Sequence, residues 1–250
     1  MNEKLHPLLA HLRLKGITGA LDQEIQRAEK EATPVSEVLY RLLLEEQSYR
    51  QNQSLLYRLK GARIPWDWTL KTFPFDKQPG VSKAQIQQLS GLAFVERKEN
   101  IVFIGNPGTG KSGLAIGILR QALLAGYRGR FYHAQDLLDE LYASLADRSS
   151  PKLIRRLCRY DLLLIDELGY LTLKPEQINA FFKLMGERYG KTSSILTTNL
   201  DYPEWYDLFQ RKSLVDALLD RLKHYCITIR INGSSLRVFF NDKGKLNTKS

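Results

Sequence analysis

The sequence predicts an α/β fold in which a small all-helical domain precedes a five-stranded parallel sheet covered by helices. Three observations carry this. Residues 1–63 show only helical periodicity, five strand-like runs alternate with helical stretches from about residue 81, and a glycine-rich loop joins the first run to its helix. Strands separated by helices need crossover connections, which make the strands parallel and cover both faces of the sheet.

The 250 residues suffice for one full-sized domain and a small second one. In the helical domain, Leu5, Leu8, Leu9, Leu12 and Ile17 fall near helical spacing, as do Leu21, Ile25 and Ala28. Thr33-Pro34-Val35-Ser36-Glu37 reads as a helix start, with proline early in the turn and an acid after it. Val38, Leu39, Leu42 and Leu43 give that helix an apolar face, and it extends toward Gly61 with a break expected near Gln51-Asn52-Gln53. Residues 64–80 hold three prolines and four aromatics, which suits a linker whose aromatics dock on a neighbouring surface. The second domain, 81–240, carries strands at 101–104, 130–133, 162–165, 194–198 and 226–231. Its helices are expected at 111–125, 135–146, 151–159, 175–189 and 213–224. The polar tail 241–250 is expected to be disordered.

Charge narrows the partners. Residues 1–70 hold 10 Lys plus Arg against 9 Asp plus Glu, so nearly all of the +10 net charge lies beyond residue 70. Such an excess favours a polyanion, either nucleic acid or an acidic membrane surface, although it also serves solubility. No apolar run reaches the roughly 18–20 residues that cross a bilayer, and the N-terminus lacks the apolar stretch of a secretory signal. The two cysteines, Cys158 and Cys226, either pair or, as expected of a cytoplasmic chain of this length, stay reduced.

Gly105-Asn106-Pro107-Gly108-Thr109-Gly110-Lys111-Ser112 matches G-x-x-x-x-G-K-[ST] in full, between the apolar strand IVFI and the helix that Gly113 continues. Each residue type suits the chemistry of ATP. Glycines let the backbone approach the phosphates, and successive N–H groups with the positive helix end surround the β-phosphate. Lys111 reaches the β/γ oxygens, and the Ser112 hydroxyl is a Mg²⁺ ligand. Leu162-Leu163-Leu164-Ile165 then forms a central strand, and Asp166 emerges at its C-terminal edge, where open α/β sheets bind ligands. There Asp166 can hold a water of the Mg²⁺ shell, and Glu167 is spaced to act as general base on the attacking water. Alone, the two acids also read as a cap for the next helix; beside the phosphate loop they read as catalytic. Asn199 ends the run Ser194–Thr198 and would share that edge, its amide positioning the water or the γ-phosphate. By itself it also reads as a turn residue.

The acid pair directly after four apolar residues, together with the polar strand ending in Asn199, resembles the AAA+ ATPases. Within them, LLLIDELGYLTL, ALLDRLKH at 217–224 and the N-terminal LRLKGITGALDQEI are similar to the IstB transposition helper ATPases, relatives of the bacterial helicase loaders. The resemblance spans about residues 5–240. It implies an ATPase that forms a homo-oligomer with ATP sites between subunits, binds double-stranded DNA and assists a transposase of the same element. It also carries two arginines onto this chain. Arg221 matches the arginine finger that completes a neighbour's site, and Arg237 matches the sensor arginine acting in cis. Departures are Ser234 and Leu236 where the family usually has Glu and Tyr, Gly113 for His and Asn106 for Pro. Only 13 residues follow Arg237, so no C-terminal helical lid is expected.

Residues 148–159 hold five basic residues and no acids. Leu153, Ile154, Leu157 and Cys158 suit the inner face of a helix; Lys152, Arg155, Arg156 and Arg159 suit the outer face. This resembles the helix that initiator and loader ATPases turn toward DNA, with contacts to phosphates and not bases. Phe75 and Phe94 are candidates for holding adenine. A helicase loader is the alternative reading. A small-molecule kinase fits less well, because Glu167 suits activation of water.

Overall fold

Helical spacing in the first part of the chain becomes three helices: α1 (Asn2–His11), α2 (Lys15–Glu31) and α3 (Val35–Ala62). These come from a computed structural model that describes residues 2–169 and 171–239; the tail 241–250 lies outside the described residues. The chain forms two units, Met1–Arg58 and Leu59–Ser250. In the first, Ile17, Leu21 and Leu42 form a small core with Leu9, Leu14, Ile25 and Val38 around it. The expected break at Gln51–Gln53 is absent, because good helix formers on both sides carry α3 through it. Only part of the apolar face of α3 is used: Val38 and Leu42 pack inward, whereas Leu39 and Leu43 are exposed.

Two residues set the crossing of α2 and α3. A side chain on Gly16 would stand 2.6 Å from the Glu46 Cα, so the helices meet there backbone to backbone. The buried Glu46 carboxylate accepts from the amides of Gly16 (2.7 Å) and Ile17 (3.2 Å), two donors that the first turn of α2 leaves free. It also accepts from Arg50 Nε at 2.7 Å.

The second unit holds the sheet: β1 (Asn100–Gly105), β2 (Gly129–His133), β3 (Leu162–Asp166), β4 (Ser193–Thr198) and β5 (Cys226–Ile231). The order is β2-β3-β4-β1-β5, every neighbouring pair parallel. Alternate residues feed two cores: Ile101 and Phe103 face one side, Val102 and Ile104 the other. On the first side pack α4 (Lys83–Ser90), α5 (Ala93–Glu96) and α6 (Lys111–Leu124); on the second pack α7 (Ala134–Ala146), α8 (Ser150–Leu157), α9 (Pro175–Arg188), α10 (Trp205–Phe209) and α11 (Lys212–His224). No helix among the described residues is long and apolar enough to cross a membrane. Cys158 and Cys226 are both free.

Residues 64–75 lie on α6 as a strap, with Ile64, Trp68, Leu70, Phe73 and Phe75 against the first core. The spacing of glycines along α6 explains the seat. A side chain at Gly110, Gly113 or Gly117 would stand 2.7 Å from Phe73, 3.5 Å from Trp68 or 2.5 Å from Leu70. The start of this segment also covers the edge strand β2. Arg130 donates to the Gly61 carbonyl at 2.7 Å, and Trp66 meets Phe131 and His133 edge-on.

Gly16→Ala is expected to destabilise the N-terminal unit by about 1–3 kcal/mol, because backbone and not a movable side chain occupies the space; denaturant unfolding measures it. Acid should loosen the same unit. Burial alone raises the Glu46 carboxyl, but Arg50 and the two amides outweigh it and hold its pKa below the ordinary value. A depressed carboxylate contributes stability above its unfolded pKa and loses it as pH falls through the folded one. Hydrogen exchange at Gly16 and Ile17 should therefore accelerate below the ordinary glutamate range, and Glu46→Gln should remove that dependence.

Candidate functional site

The parallel register brings the ends of β1, β3 and β4 to one edge. Beyond β1, Gly108 (φ +82°) and Gly110 (φ +94°) take the left-handed backbone that turns the loop into α6. The Thr109 hydroxyl donates to the Asn106 carbonyl at 2.8 Å, closing the loop on itself. Lys111 Nζ donates to the carbonyls of Gly105 (2.7 Å) and Asn106 (2.9 Å). Burial pulls the Lys111 pKa below the ordinary lysine value, against the pull of Asp166 and Glu167. An ammonium held by two loop carbonyls beside two acids is placed to exchange them for phosphate oxygens. Gly113 continues α6 under Trp68.

Asp166 is fully buried at the end of β3. Its Oδ1 accepts from the Thr197 hydroxyl at 2.5 Å, and its Oδ2 makes no hydrogen bond of good geometry among the described residues. Burial raises its pKa; the hydroxyls of Thr197 and Ser112 act in the opposite sense. An orphaned, buried carboxylate oxygen with a serine hydroxyl from the phosphate loop beside it fits a magnesium ion, which takes few protein ligands and keeps several waters. Glu167 is exposed, and its backbone is left-handed (φ +63°), a strained conformation for a residue with a side chain. Its amide donates to Thr197 Oγ1 at 2.9 Å. One hydroxyl therefore donates to the first acid and fastens the backbone of the second. Sequence reasoning missed Thr197, which pattern alone marks only as a β-former in a strand. Asn199 follows β4, with its side-chain oxygen 2.1 Å from where a Gly169 side chain would begin, so it lies against the loop after Glu167.

The segment Gly233–Arg237 closes the other side of the loop. The Leu236 amide donates to the Gly108 carbonyl at 2.8 Å. Arg237 is exposed, and its charge bears on Lys111. Arg221 lies elsewhere. Its guanidinium stacks over Tyr189 at 5.7 Å, and it lines a groove with Lys183, Gly186 and Leu214. Because α9 and α11 run back to the edge where the next strand begins, Arg221, near the end of α11, stands toward the edge opposite the phosphate loop.

On α8, Leu153, Ile154 and Leu157 are buried, and Lys152, Arg155, Arg156 and Arg159 are exposed, with Arg159 just past the end of the helix. Arg156 pairs with Glu140 on α7, and among the described residues no ion pair engages the other three. Of the two aromatics considered for adenine, Phe94 is 2 % exposed and belongs to the core, where its carbonyl accepts from Ser193. Phe75 is half-buried against Phe73.

Likeness to known proteins decides the family. The profile described as IstB-like ATP binding protein matches residues 7–243. The chain belongs to that family. It is 35% identical over 247 residues to an insertion sequence IS21 ATP-binding protein of Pseudomonas aeruginosa, covering 99% of this chain and 93% of the relative. It is 34% identical over 238 residues to the insertion sequence IS5376 counterpart of Geobacillus stearothermophilus, covering 95% of each. Among solved structures it resembles the DnaC helicase loader (TM-score 0.55, 22% identity, 66% of this chain and 97% of that one). It also resembles the replication initiator DnaA bound to AMPPCP and single-stranded DNA (TM-score 0.53, 21% identity, 74% and 58%). This IstB-like chain is thus an ATP-binding protein with an AAA+ fold.

Thr197→Val, which removes the hydroxyl that orients Asp166, should weaken ATP binding in the presence of Mg²⁺ by roughly 10–100-fold, and Thr197→Ser should restore most of it. Titration with a fluorescent ATP analogue, with and without Mg²⁺, tests this.

Proposed function

We propose that this IstB-like protein hydrolyses ATP with Mg²⁺ as several copies assembled on duplex DNA, and that the assembly assists the transposase of its own insertion sequence in the cytoplasm. The observation that carries the reading is the division of the candidate groups. Lys111, Ser112, Asp166 and Glu167 share one sheet edge, while Arg221 stands toward the opposite one. A chain divided in this way completes its chemistry with a second copy.

Lys111 moves from the Gly105 and Asn106 carbonyls to the phosphates and neutralises their charge. Ser112 and Asp166 would hold Mg²⁺, which would supply positive charge to offset that of the phosphates. Glu167 takes the proton of the attacking water, and the Asn199 amide orients that water. Arg237 acts on the γ-phosphate of its own site, and Arg221 on that of a neighbour.

The exposed arginines and lysine of α8 support a grip on DNA phosphates, without base readout. The N-terminal unit supports a protein contact, since Val35, Leu39 and Leu43, one helical turn apart, are all exposed on α3. The likeness to DnaC leaves a helicase-loading role as a second reading. The relatives named for insertion sequences, matched over nearly their full length, favour the transposase.

ATPase rate per protomer should rise with protein concentration and with added duplex DNA; a rate that stays flat would contradict the shared site. Charge reversal at Arg155 should weaken DNA binding most, more than loss of the Glu140-paired Arg156, with ATP binding intact. The affinity should fall steeply with salt, as phosphate contacts require. The full-length protein should retain purified transposase and not purified replicative helicase.

A further inference from the structure

Gln78 follows the short turn Phe75–Lys77 at the end of the strap, and its side chain is fully buried. Its Nε2 donates to the Thr109 carbonyl of the phosphate loop at 3.0 Å and to the Ser234 carbonyl at 3.1 Å. Two carbonyls fix which end of the amide is the nitrogen, because an oxygen there would face both acceptors. The Oε1 atom has no hydrogen-bond partner among the described residues. It fits only because residue 233 is glycine: a side chain there would begin 1.3 Å from Oε1.

The orphaned Oε1 counts against stability, whereas the amide nitrogen satisfies two carbonyls that a methionine of similar length would leave without this donor. Packing alone therefore does not account for glutamine at this position. What the amide adds is a tie between the phosphate loop and the C-terminal arm, beside the bond from the Leu236 amide to Gly108. Ser235 completes the seat, its Oγ 2.1 Å from where a Gly108 side chain would begin.

We infer that Gln78 is a positioning residue that clamps the arm Gly233–Arg237 onto the phosphate loop and so holds both in the shape that takes ATP. The inference rests on Gly105–Ser112 being the ATP site and goes beyond it, since Gln78 itself touches only backbone.

The test uses the full chain, a fluorescent ATP analogue and thermal unfolding. Gln78→Met, which keeps the bulk but leaves two carbonyls without this donor, should weaken analogue binding roughly tenfold, more than its change in melting temperature accounts for. Gly233→Ala, which drives the amide out of place, should weaken binding similarly and provides a second route if Gln78→Met does not fold. Adding Gly233→Ala to Gln78→Ala should weaken binding no further, because the clash is already gone. Wild-type affinity in Gln78→Met, a loss of affinity that merely tracks lost stability, or additive effects in the double variant would each overturn the clamp. Lys111→Ala separates failure of the clamp from failure of the ATP site. If it abolishes binding while Gln78→Met does not, the clamp alone fails; if it leaves binding intact, the site fails and the clamp with it.

Discussion

A carboxylate at the dry end of an apolar strand is the constraint around which the site is arranged. Asp166 ends four leucine and isoleucine residues and is fully buried, a position that disfavours its charge. The surroundings offset this with directed groups: the Thr197 hydroxyl from β4, the Ser112 hydroxyl from the phosphate loop and the Lys111 ammonium nearby. These come from three separate segments, and only the parallel sheet, with β3, β4 and β1 side by side, brings them to one point. The order of the strands is thus a chemical requirement as well as a topological one. The strained backbone at Glu167 belongs to the same arrangement, since Thr197 fixes that residue through its amide.

The phosphate loop is held from behind. The strap presses Phe73 toward Gly110, and the arm meets Gly108 and, through Gln78, Thr109. A loop whose carbonyls are occupied in this way is held in shape by the groups behind it. Preorganised donors lower the reorganisation needed when charge develops, which is where such sites gain most of their effect. The glycines serve this backing as well as the approach of phosphate, so a helix containing Gly113 and Gly117 is more constrained than its motif alone implies.

How much of this was legible in the sequence depends on how local the signal is. The phosphate loop, the Asp166–Glu167 pair and all five strands were readable, because each rests on a contiguous pattern with its own period or turn chemistry. The unbroken α3 was not, since polar residues at 51–53 look like a break although they form helix without difficulty. Thr197 and Gln78 act over distance: Thr197 bonds a residue 31 positions away, and Gln78 one 156 positions away. No local pattern marks them. The half-used apolar face of α3 was also hidden, because periodicity counts apolar residues without telling which of them meet a partner within the chain.

The end of α9 connects the remaining features. Arg188 is buried there and donates to the carbonyls of Leu157 and Tyr160, at the end of the basic helix, and to Ser193 and Ser194, where β4 begins. Burial pulls its pKa down to about 10, so it keeps its charge at neutral pH. The next residue, Tyr189, lies beneath Arg221. One turn of chain therefore anchors the helix proposed to grip DNA, the strand that supplies Thr197 and the arginine proposed to serve a neighbour. A contact in which Arg221 at one edge meets the phosphate loop of another copy at the opposite edge joins two different surfaces. Repeated, such a contact closes a ring or extends a helix and does not stop at a two-fold dimer. In the proposed assembly each added copy would contribute another basic helix to the same DNA, so affinity would grow with the number of copies although each grips only phosphates.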